Sequence, residues 1–334
     1  MKKTYYLFNP GKLSRKDNTL KFVPHDKDGK ELSPKYLPVE QVGQMFVFGN
    51  LEASSSLYNF LGQNEIAVHF FDYYENYTGS FLSRDYLLAG KMIIEQVKHY
   101  NKLKLRMAIA KEIIQGAAYN MLKNLAYYNS RGKDLKSQIE RIKLLKSNIN
   151  NTQKIDELMG IEGNIRNCYY EGIDIIINSF EMGTRSTRPP QNEVNALISF
   201  GNMIIYSQVL RSIHQTQLNP TISYLHQPGE RRYSLSLDIA EIFKPIIVDR
   251  VIFKVLNKRI LSEKDFDKSL NRVLLNNAGK KKFLESFDNR MLETIKHRTL
   301  NRHVSYKHLI KLECYKLKKH LLNIEEYKSF KMYW

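Results

Sequence analysis

The first part of the chain alternates between short apolar runs and polar, turn-rich pieces. The apolar runs are TYYLF, TLKFV, MFVFGN and IAVHFFDYY. They are rich in β-branched and aromatic residues, and the pieces between them, such as NPGKL and HDKDGKEL, favour tight turns. A helix capped by a serine is expected over LEASSSLYNFLGQ. Residues 1–76 are therefore predicted to form a small β-sandwich or β-roll domain.

From residue 85 onwards, apolar positions recur every three to four residues, which is typical of amphipathic helices. The segments with this period include DYLLAGKMIIEQVKHY, LRMAIAKEIIQGAAYNMLKNLAYY, LKSQIERIKLLKSNI and IDELMGIEGNIRNCYYEGIDIIIN. Another helix is expected to begin near Asn192, and Pro245 is expected to end or kink a later one. Residues 77–84, which are polar and contain a glycine, are interpreted as a linker. The predicted fold class is α+β with two domains, the second being an all-α domain over residues 85–334.

Three side chains that commonly bind metals lie close together in a largely apolar part of the sequence. His226 precedes a helical segment on which Asp238 and Glu241, three residues apart, share one face. Carboxylates and an imidazole are costly to bury unless a cation compensates them. An ordinary structural histidine with acidic neighbours would give the same pattern, so both interpretations stay open at this point.

A second candidate carboxylate interrupts an apolar helical stripe upstream. Glu162 shares a helix face with Ile165 and Tyr169, and it is flanked by Gly160 and Gly163. Each glycine costs a helix about 1 kcal/mol relative to alanine. Close approach of backbone or ligand is a common reason for such glycines, although an exposed glutamate at a helix bend is the alternative. An oxygen-rich set with one imidazole would suit Mg²⁺ or Mn²⁺.

Positive charge is in excess and is unevenly distributed. The chain has 52 Lys and Arg against 34 Asp and Glu, a net charge of +18, and residues 251–334 alone hold 20 basic and 9 acidic residues. This excess favours a polyanionic partner, although a charge run is often only a solvated face. The basic residues singled out in the C-terminal region, where Tyr306 and Tyr315 are interleaved, are Arg298, Arg302, Lys307, Lys311, Lys318 and Lys319. They are interpreted as a surface that follows phosphates.

The two cysteines, Cys168 and Cys314, are too few and too far apart in sequence to indicate a disulfide framework or a zinc site. A reducing cytoplasm is therefore the expected compartment. No apolar run reaches about 18 residues, and the first residues do not continue into a signal-peptide core. Neither a membrane span nor export is expected.

Three segments, taken together, resemble the signature of the Cas1 family, the CRISPR-associated endonuclease and integrase of spacer acquisition. The segments are IEGNIRNCYY, RSTRPPQNEVNALISFGN and SYLHQPGERRYSLSLDIAEIFKPIIVDR. Their order, spacing and flanking residues all agree with that family. The likeness extends from the N-terminal block to VSYKHLIKLECYKL and EEYKSF near the C-terminus.

The resemblance implies a metal-dependent DNA endonuclease and integrase that joins the 3′-OH ends of spacer DNA to the repeat array by transesterification. Glu162, His226 and Glu241 match the family's metal-binding positions, and Asp238 matches a supporting acidic position. The implied cofactor is Mg²⁺ or Mn²⁺. The implied partners are double-stranded DNA (spacer precursor and repeat array), a second copy that forms a homodimer through the β domain, and the companion protein Cas2.

Other residues near these segments are candidates for DNA contact. The family pattern suggests that Asn195 lies behind the site or touches substrate. The arginines that could hold phosphates are Arg185, Arg188, Arg231, Arg232 and Arg250. Surface pairing with Glu230 or Asp249 is the alternative for some of them. Two other functions remain open: a metal-dependent nuclease that cuts without joining, and a non-enzymatic DNA-binding scaffold with a degenerate site.

Overall fold

The computed structural model describes residues 2–26, 28–72, 74, 76–82, 89–229, 233–270 and 272–333. It divides into two compact units, Met1–Leu87 and Leu88–Trp334. The predicted α+β fold with two domains is confirmed, since strands dominate the first unit and helices the second.

Over its described residues, the first unit contains two four-stranded sheets. Its strands are β1 (Lys3–Leu7), β2 (Gly11–Lys16), β3 (Thr19–Pro24), β4 (Lys35–Pro38), β5 (Val42–Val47), β6 (Leu51–Glu52), β7 (Ala67–Phe71) and β8 (Tyr77–Phe81). One sheet has the order β1-β5-β7-β8, in which the first three strands are parallel and β8 is antiparallel. The other has the order β4-β3-β2-β6.

Apolar side chains from both sheets and from one helix of this unit form one core. Leu13 and Leu20 from one sheet and Met45 and Val68 from the other are all buried within it. Helix α1 (Ser55–Gln63) also contributes to this core, and the side chain of Ser54 accepts a hydrogen bond from the Leu57 N–H. The serine cap predicted from the sequence is therefore confirmed.

The linker predicted over residues 77–84 is wrong at its beginning. Tyr77–Phe81 forms the edge strand β8, in which Phe81 pairs with Val68 of β7. The segment resembles a loop because its inner residues, Thr78 to Ser80, are small and polar. An edge strand tolerates such residues because one side of it faces solvent. Residues 83–88 lie outside the described part of the chain.

The second unit is built from nine helices over the described residues. They are α2 (Gly90–Asn101), α3 (Leu103–Asn129), α4 (Lys136–Ser147), α5 (Ile155–Ile176), α6 (Glu193–His214), α7 (Ser234–Phe243), α8 (Arg250–Asn257), α9 (Asn277–Leu292) and α10 (Tyr306–Leu321). Every segment that was expected to be helical from its period contains one of them. Asn192 caps α6 by accepting a hydrogen bond from the Asn195 N–H at 2.8 Å.

The prediction of an all-α second domain is wrong in one respect, because two short antiparallel ribbons interrupt the helices. They pair β9 (Phe266–Ser269) with β10 (Arg272–Leu275) and β11 (Thr294–His297) with β12 (Arg302–Ser305). Each strand has only four residues, which is too short for an alternating pattern to stand out from the helical periods beside it.

Helix α7 is buried along its whole length and ends where the sequence predicted. Pro245 begins a π-helical turn, Pro245–Asp249, that leads into α8. Asn120 and Asn124 of α3 donate to the carbonyl oxygens of Ile242 (2.9 Å) and Pro245 (2.7 Å). These two amides therefore satisfy carbonyl groups at the break in the helix.

Asn120 also holds a distant segment of the chain. Its side chain donates to the Phe330 carbonyl oxygen at 3.1 Å and accepts from the Met332 N–H at 2.8 Å. The Phe330 ring lies 6.1 Å from the ring of Phe243 in a stacked arrangement. Residues 330–332 thus pack against the end of α7.

Over the described residues, no helix has the length and apolar character that crossing a membrane requires.

Candidate active site

The two glutamates singled out in the sequence meet through one arginine. On α5, Arg166 Nε donates to Glu162 Oε1 at 2.7 Å, and Arg166 Nη2 donates to Glu241 Oε2 of α7. The side chains of Arg166 and Glu162 are each 16% exposed. Glu162 and Arg166 are four residues apart on α5, so they share one helix face. The fold therefore places carboxylates from two separate helices at a single guanidinium.

A second cation holds the other oxygen of Glu241. Lys244 Nζ lies 2.5 Å from Glu241 Oε1, and each of these side chains is 7% exposed. The ammonium group also lies 4.8 Å from the centre of the Tyr206 ring. Burial alone would raise the pKa of Glu241, but Arg166 and Lys244 outweigh it and lower the pKa to about 2. Glu241 is therefore ionised at neutral pH.

Asp238 is fully buried, and its carboxylate is hydrogen-bonded to the segment before α7. Its Oδ2 accepts from the backbone N–H groups of Tyr224 (2.7 Å) and Leu225 (3.0 Å), and its Oδ1 accepts from the backbone N–H of His226 (3.0 Å). The same Oδ1 lies 2.8 Å from His226 Nδ1. Asp238 thus fixes the backbone and the ring of His226, and its oxygens do not stand open to an ion.

His226 has one ring nitrogen left for a ligand. Since a carboxylate faces Nδ1, that nitrogen carries a proton and Nε2 has the lone pair. Burial lowers the pKa of His226, but its hydrogen bond to Asp238 and the charges of Asp238 and Glu241 outweigh burial and raise it. Histidine ligands of metals commonly have their second nitrogen held by a carboxylate in this way.

The donor groups fit a hard divalent cation only if Arg166 moves. Among the described residues, no three His, Cys, Asp or Glu side chains are gathered as a ready-made metal cage. Glu162 Oε2 and His226 Nε2 have no hydrogen-bond partner there, whereas Glu241 Oε2 is held by Arg166. An ion that took the place of the guanidinium would lie between Glu162 and Glu241, and His226, whose charge acts on Glu241, is the nearby imidazole. Two carboxylates and one imidazole are a set that suits Mg²⁺ or Mn²⁺.

The two glycines beside Glu162 are not explained by tight packing of the protein. A Cβ atom added at Gly160 or Gly163 would meet no described atom within 4 Å outside its own stretch of helix. Gly160 is exposed, and Gly163 is half-buried. The surface of α5 next to Glu162 is therefore open.

Asp249 is a buried carboxyl group near the site that sequence reasoning considered only as a partner for arginine. It lies at the end of the π-helical turn and accepts a hydrogen bond from the Tyr169 hydroxyl. Asn124 in turn donates to that hydroxyl at 2.9 Å. Burial raises the pKa of Asp249 to about 7, against the lowering effects of Arg166, Tyr169 and Lys244. The sequence signal that could have pointed to Asp249 is Pro245, which interrupts a buried helical segment four residues before it.

We expect Asp249 to make the stability of the protein depend on pH. The unfolded carboxyl group loses its proton near pH 3.8, whereas the folded one keeps it up to about pH 7. The free energy of unfolding should therefore fall by a few kcal/mol between about pH 4 and pH 7 from this group. Asp249→Asn should remove that fall. Urea unfolding of both proteins at pH 5 and pH 8 measures it, and equal pH dependence would contradict the assignment.

The burial of Asn195 opposes the direct DNA contact that was one of the two expectations from the sequence, and it is compatible with the other, a place behind the site. It is completely buried, and its amide donates to the carbonyl oxygens of Met182 (3.1 Å) and Thr184 (3.0 Å). Its Oδ1 accepts from Arg185 Nη1 at 2.9 Å and from the Ser186 N–H at 3.2 Å. Asn195 and Arg185 therefore stabilise the loop before α6. The sequence does not reveal this role, because an amide in the first turn of a helix can face inwards as readily as outwards.

The other candidate arginines have different surroundings. Arg188 is exposed. Arg250 is half-buried, with its guanidinium 4.4 Å from the centre of the Tyr127 ring and 5.5 Å from that of Tyr128. Arg231 and Arg232 lie outside the described residues.

The basic C-terminal region is partly a β-ribbon, where the sequence suggested helix. Lys296, Arg298, Arg302 and His303 lie exposed on the ribbon β11–β12 and its turn. Burial lowers the pKa of His308, which follows this ribbon on α10, and the nearby charges of Arg302 and Lys311 lower it further. The ribbon and the first turns of α10 therefore form a positively charged surface, called the basic ribbon below.

Tyr306 does not belong to the basic ribbon. It is buried, and its hydroxyl accepts from Arg290 Nη2 at 2.8 Å. Lys319, expected in the same surface, pairs with Glu325 at 3.0 Å. Tyr315 is 36% exposed, with Lys311 Nζ 6.0 Å from its ring centre.

Two solved structures of low sequence identity share this fold. A casposase bound to integration product has a TM-score of 0.84 at 16% identity, with 100% of this chain and 95% of that chain covered. A Cas6-RT-Cas1–Cas2 complex has a TM-score of 0.82 at 18% identity, with 100% of this chain and 36% of that chain covered. The fold is therefore the one that Cas1 proteins share with the casposase.

More similar sequences narrow this class to one family. The family model described as CRISPR associated protein Cas1 matches residues 5–289. The CRISPR-associated endonuclease Cas1 of Fusobacterium nucleatum is 45% identical over 335 residues (100% of this chain, 98% of the relative), and that of Thermodesulfovibrio yellowstonii is 46% identical over 336 residues (100% of both). A Cas1 structure from Thermotoga maritima is 38% identical with a TM-score of 0.84 (98% of this chain, 100% of that chain). The chain belongs to the Cas1 family.

Proposed function

We propose that this chain is a divalent-cation-dependent DNA endonuclease and integrase of CRISPR adaptation. The observation that carries the proposal is the convergence of Glu162 and Glu241, from two separate helices, on one cationic group beside a histidine whose second nitrogen a carboxylate holds. The relatives named as CRISPR-associated endonucleases support the nuclease activity.

The proposed roles of the site residues follow from their contacts. Glu162, Glu241 and His226 would hold Mg²⁺ or Mn²⁺, which polarises a phosphodiester and stabilises the charge that develops in its transition state. Asp238 positions His226 by fixing both its ring and its backbone. Lys244 helps to keep Glu241 ionised.

The proposed reaction is a transesterification. The 3′-hydroxyl oxygen of a spacer end forms a bond to a phosphorus atom at the repeat boundary, and the bond from that phosphorus to the outgoing 3′-oxygen breaks. The incoming hydroxyl loses a proton, and the outgoing oxygen gains one. With water as the nucleophile, the same residues would carry out hydrolysis, which accounts for endonuclease activity.

The proposed partners are double-stranded DNA, Cas2 and a second copy of this chain paired through the β domain. The Cas6-RT-Cas1–Cas2 complex shows that a chain of this fold can occur together with Cas2. The molecular mass in solution of the purified chain, and of variants changed in the β domain, tests this assembly. The mass is measured with and without Cas2.

The function is tested with a labelled duplex that has free 3′ ends, a supercoiled plasmid with a CRISPR repeat, Cas2, and Mg²⁺ or Mn²⁺. We expect label to become covalently joined to the plasmid. Glu171→Gln, which changes an exposed glutamate on α5 that pairs with Arg141, is the matched control and should join normally. Products that are cut but never joined would instead indicate a nuclease, and DNA binding without either product would indicate a scaffold.

We expect the basic ribbon to contribute phosphate contacts. The double variant Lys296→Gln and Arg302→Gln should weaken binding to duplexes of any sequence, because phosphate contacts carry little sequence information. Each lost contact should reduce the slope of log K against log salt by about 0.9. Duplex binding measured at several salt concentrations gives this slope. Lys143→Gln, an exposed lysine of α4, is the control, and a double variant with the wild-type slope would remove the ribbon from the interface.

A further inference from the structure

The strongest unexplained feature is the arginine that lies between the two proposed ligands. The guanidinium of Arg166 contacts Glu162 and Glu241 at once. Burial lowers the pKa of Arg166, but the two glutamates outweigh burial and raise it well above its usual value. The guanidinium is thus a permanent positive charge at the place where the carboxylates meet.

This contact compensates the charges of the two glutamates from within the protein. Two carboxylates held close together with little access to water repel each other unless a positive charge lies between them. Arg166 supplies that charge from within α5, one turn away from Glu162. The contact also creates competition, because Glu241 Oε2 cannot accept from the guanidinium and bind an ion in the same position.

The surroundings of Arg166 offer it a second position. Gly163 lies three residues before it, and Glu162 four, so all three share one side of α5. No described atom outside that stretch of helix lies within 4 Å of a Cβ built at Gly163. A guanidinium released from Glu241 therefore has open surface beside it. A phosphate is a natural new partner, since the planar donors of arginine match its oxygens.

We propose that Arg166 is an exchangeable internal counter-ion. It holds Glu162 and Glu241 together in the metal-free protein, gives up Glu241 to a divalent cation, and then binds a phosphate of the DNA. This inference rests on the proposed function. It makes metal binding and DNA binding favour each other, and the coupling must be the same in both directions.

The test measures Mn²⁺ affinity directly, by titration calorimetry or by the electron paramagnetic resonance signal of free Mn²⁺. Each protein is titrated alone and with a short duplex whose 3′ ends are dideoxy, so that no joining occurs. For the wild type, the duplex should tighten Mn²⁺ binding about tenfold, within the usual range of coupling between sites. Arg166→Gln should bind Mn²⁺ about tenfold more tightly without DNA, and the duplex should then have little effect.

The matched control is Arg141→Gln, which removes another arginine that bridges to a glutamate of α5, at an exposed place. It should behave as the wild type in both titrations. Arg166→Lys is a second test variant. It keeps the charge but offers a single nitrogen to the two carboxylates, so its Mn²⁺ affinity should lie between those of the wild type and Arg166→Gln.

The outcomes separate this inference from the proposed function. If the wild type binds Mn²⁺ and folded Arg166→Gln binds it no more tightly, Arg166 is not a competitor and the inference is overturned. Circular dichroism decides whether Arg166→Gln is folded. If it is not, Arg166→Lys decides in the same way. If neither the wild type nor any variant binds Mn²⁺, with or without DNA, the metal site itself is refuted.

Discussion

Replacing Glu241 by glutamine is expected to abolish joining and cleavage while duplex binding persists. Glu241 is the carboxylate on which Arg166 and Lys244 both converge, and it is the member of the proposed ligand set that must exchange a protein cation for a metal. Loss of partners behind a metal ligand commonly costs ten- to a hundredfold in activity or affinity. Loss of the ligand itself should cost at least about a hundredfold. Joining of labelled duplex and Mn²⁺ affinity are the measurements.

Folding has to be controlled in this experiment. Glu241→Gln leaves Lys244 buried with a neutral partner, and breaking a buried ion pair commonly destabilises a protein by about 3–5 kcal/mol. Glu162→Gln is the companion variant because Glu162 is more exposed and, among the described residues, bonds only to Arg166. It should lose activity with a smaller loss of stability. Full joining by both variants would place the chemistry elsewhere.

Replacing Asp238 by alanine is expected to have the largest effect on stability. The substitution removes the acceptor for three backbone N–H groups, the buried ones of Tyr224 and Leu225 and the partly buried one of His226. A buried donor left without an acceptor costs about 1–3 kcal/mol, so the total should reach about 3 kcal/mol or more. Urea unfolding of the metal-free protein measures the change.

Asp238→Asn distinguishes the two tasks of this side chain. The amide oxygen can still accept from the N–H groups of Tyr224 and Leu225, but the NH2 group then faces the backbone N–H and Nδ1 of His226 and cannot accept from them. We expect part of the stability to return, because two of the three backbone N–H groups keep an acceptor, with Mn²⁺ affinity still reduced ten- to a hundredfold, as for other groups that hold a metal-binding histidine. If alanine at this position leaves the free energy of unfolding unchanged, the hydrogen bonds to residues 224–226 do not have the role assigned to them.

The sequence predicted the elements whose patterns are long and regular. Helices such as α3 and α5 repeat their apolar period over several turns, so their existence follows from the residues alone. Strand β8 and the two short ribbons were not predicted because they are short and lack the runs of β-branched and aromatic residues that mark the other strands of the first unit. Polar residues are also tolerated on exposed strands, so the composition of β8 does not distinguish it from a loop.

The resemblance proposes the members of the candidate site, but the sequence does not indicate how their side chains are bonded. Resemblance to the Cas1 family identified Glu162, His226 and Glu241, and the structure brings the two glutamates to one group. The contact between Arg166 and Glu241 joins residues 75 positions apart, and no local pattern indicates which of many arginines makes it. For Asn195 the contacts are local in sequence, but its position still does not reveal that its amide faces a loop inside the protein.

The side-chain amide of Asn120 makes the packing around α7 depend on residues near position 330, which are synthesised late. It bonds to the carbonyl oxygen of Ile242, next to Glu241, and also to Phe330, which lies 210 residues further along the chain than Asn120. Domains fold progressively as the ribosome releases them from the N-terminus. A nascent chain that ends before Phe330 therefore lacks part of the packing around α7, so the candidate site is expected to be fully packed only once translation has passed that residue.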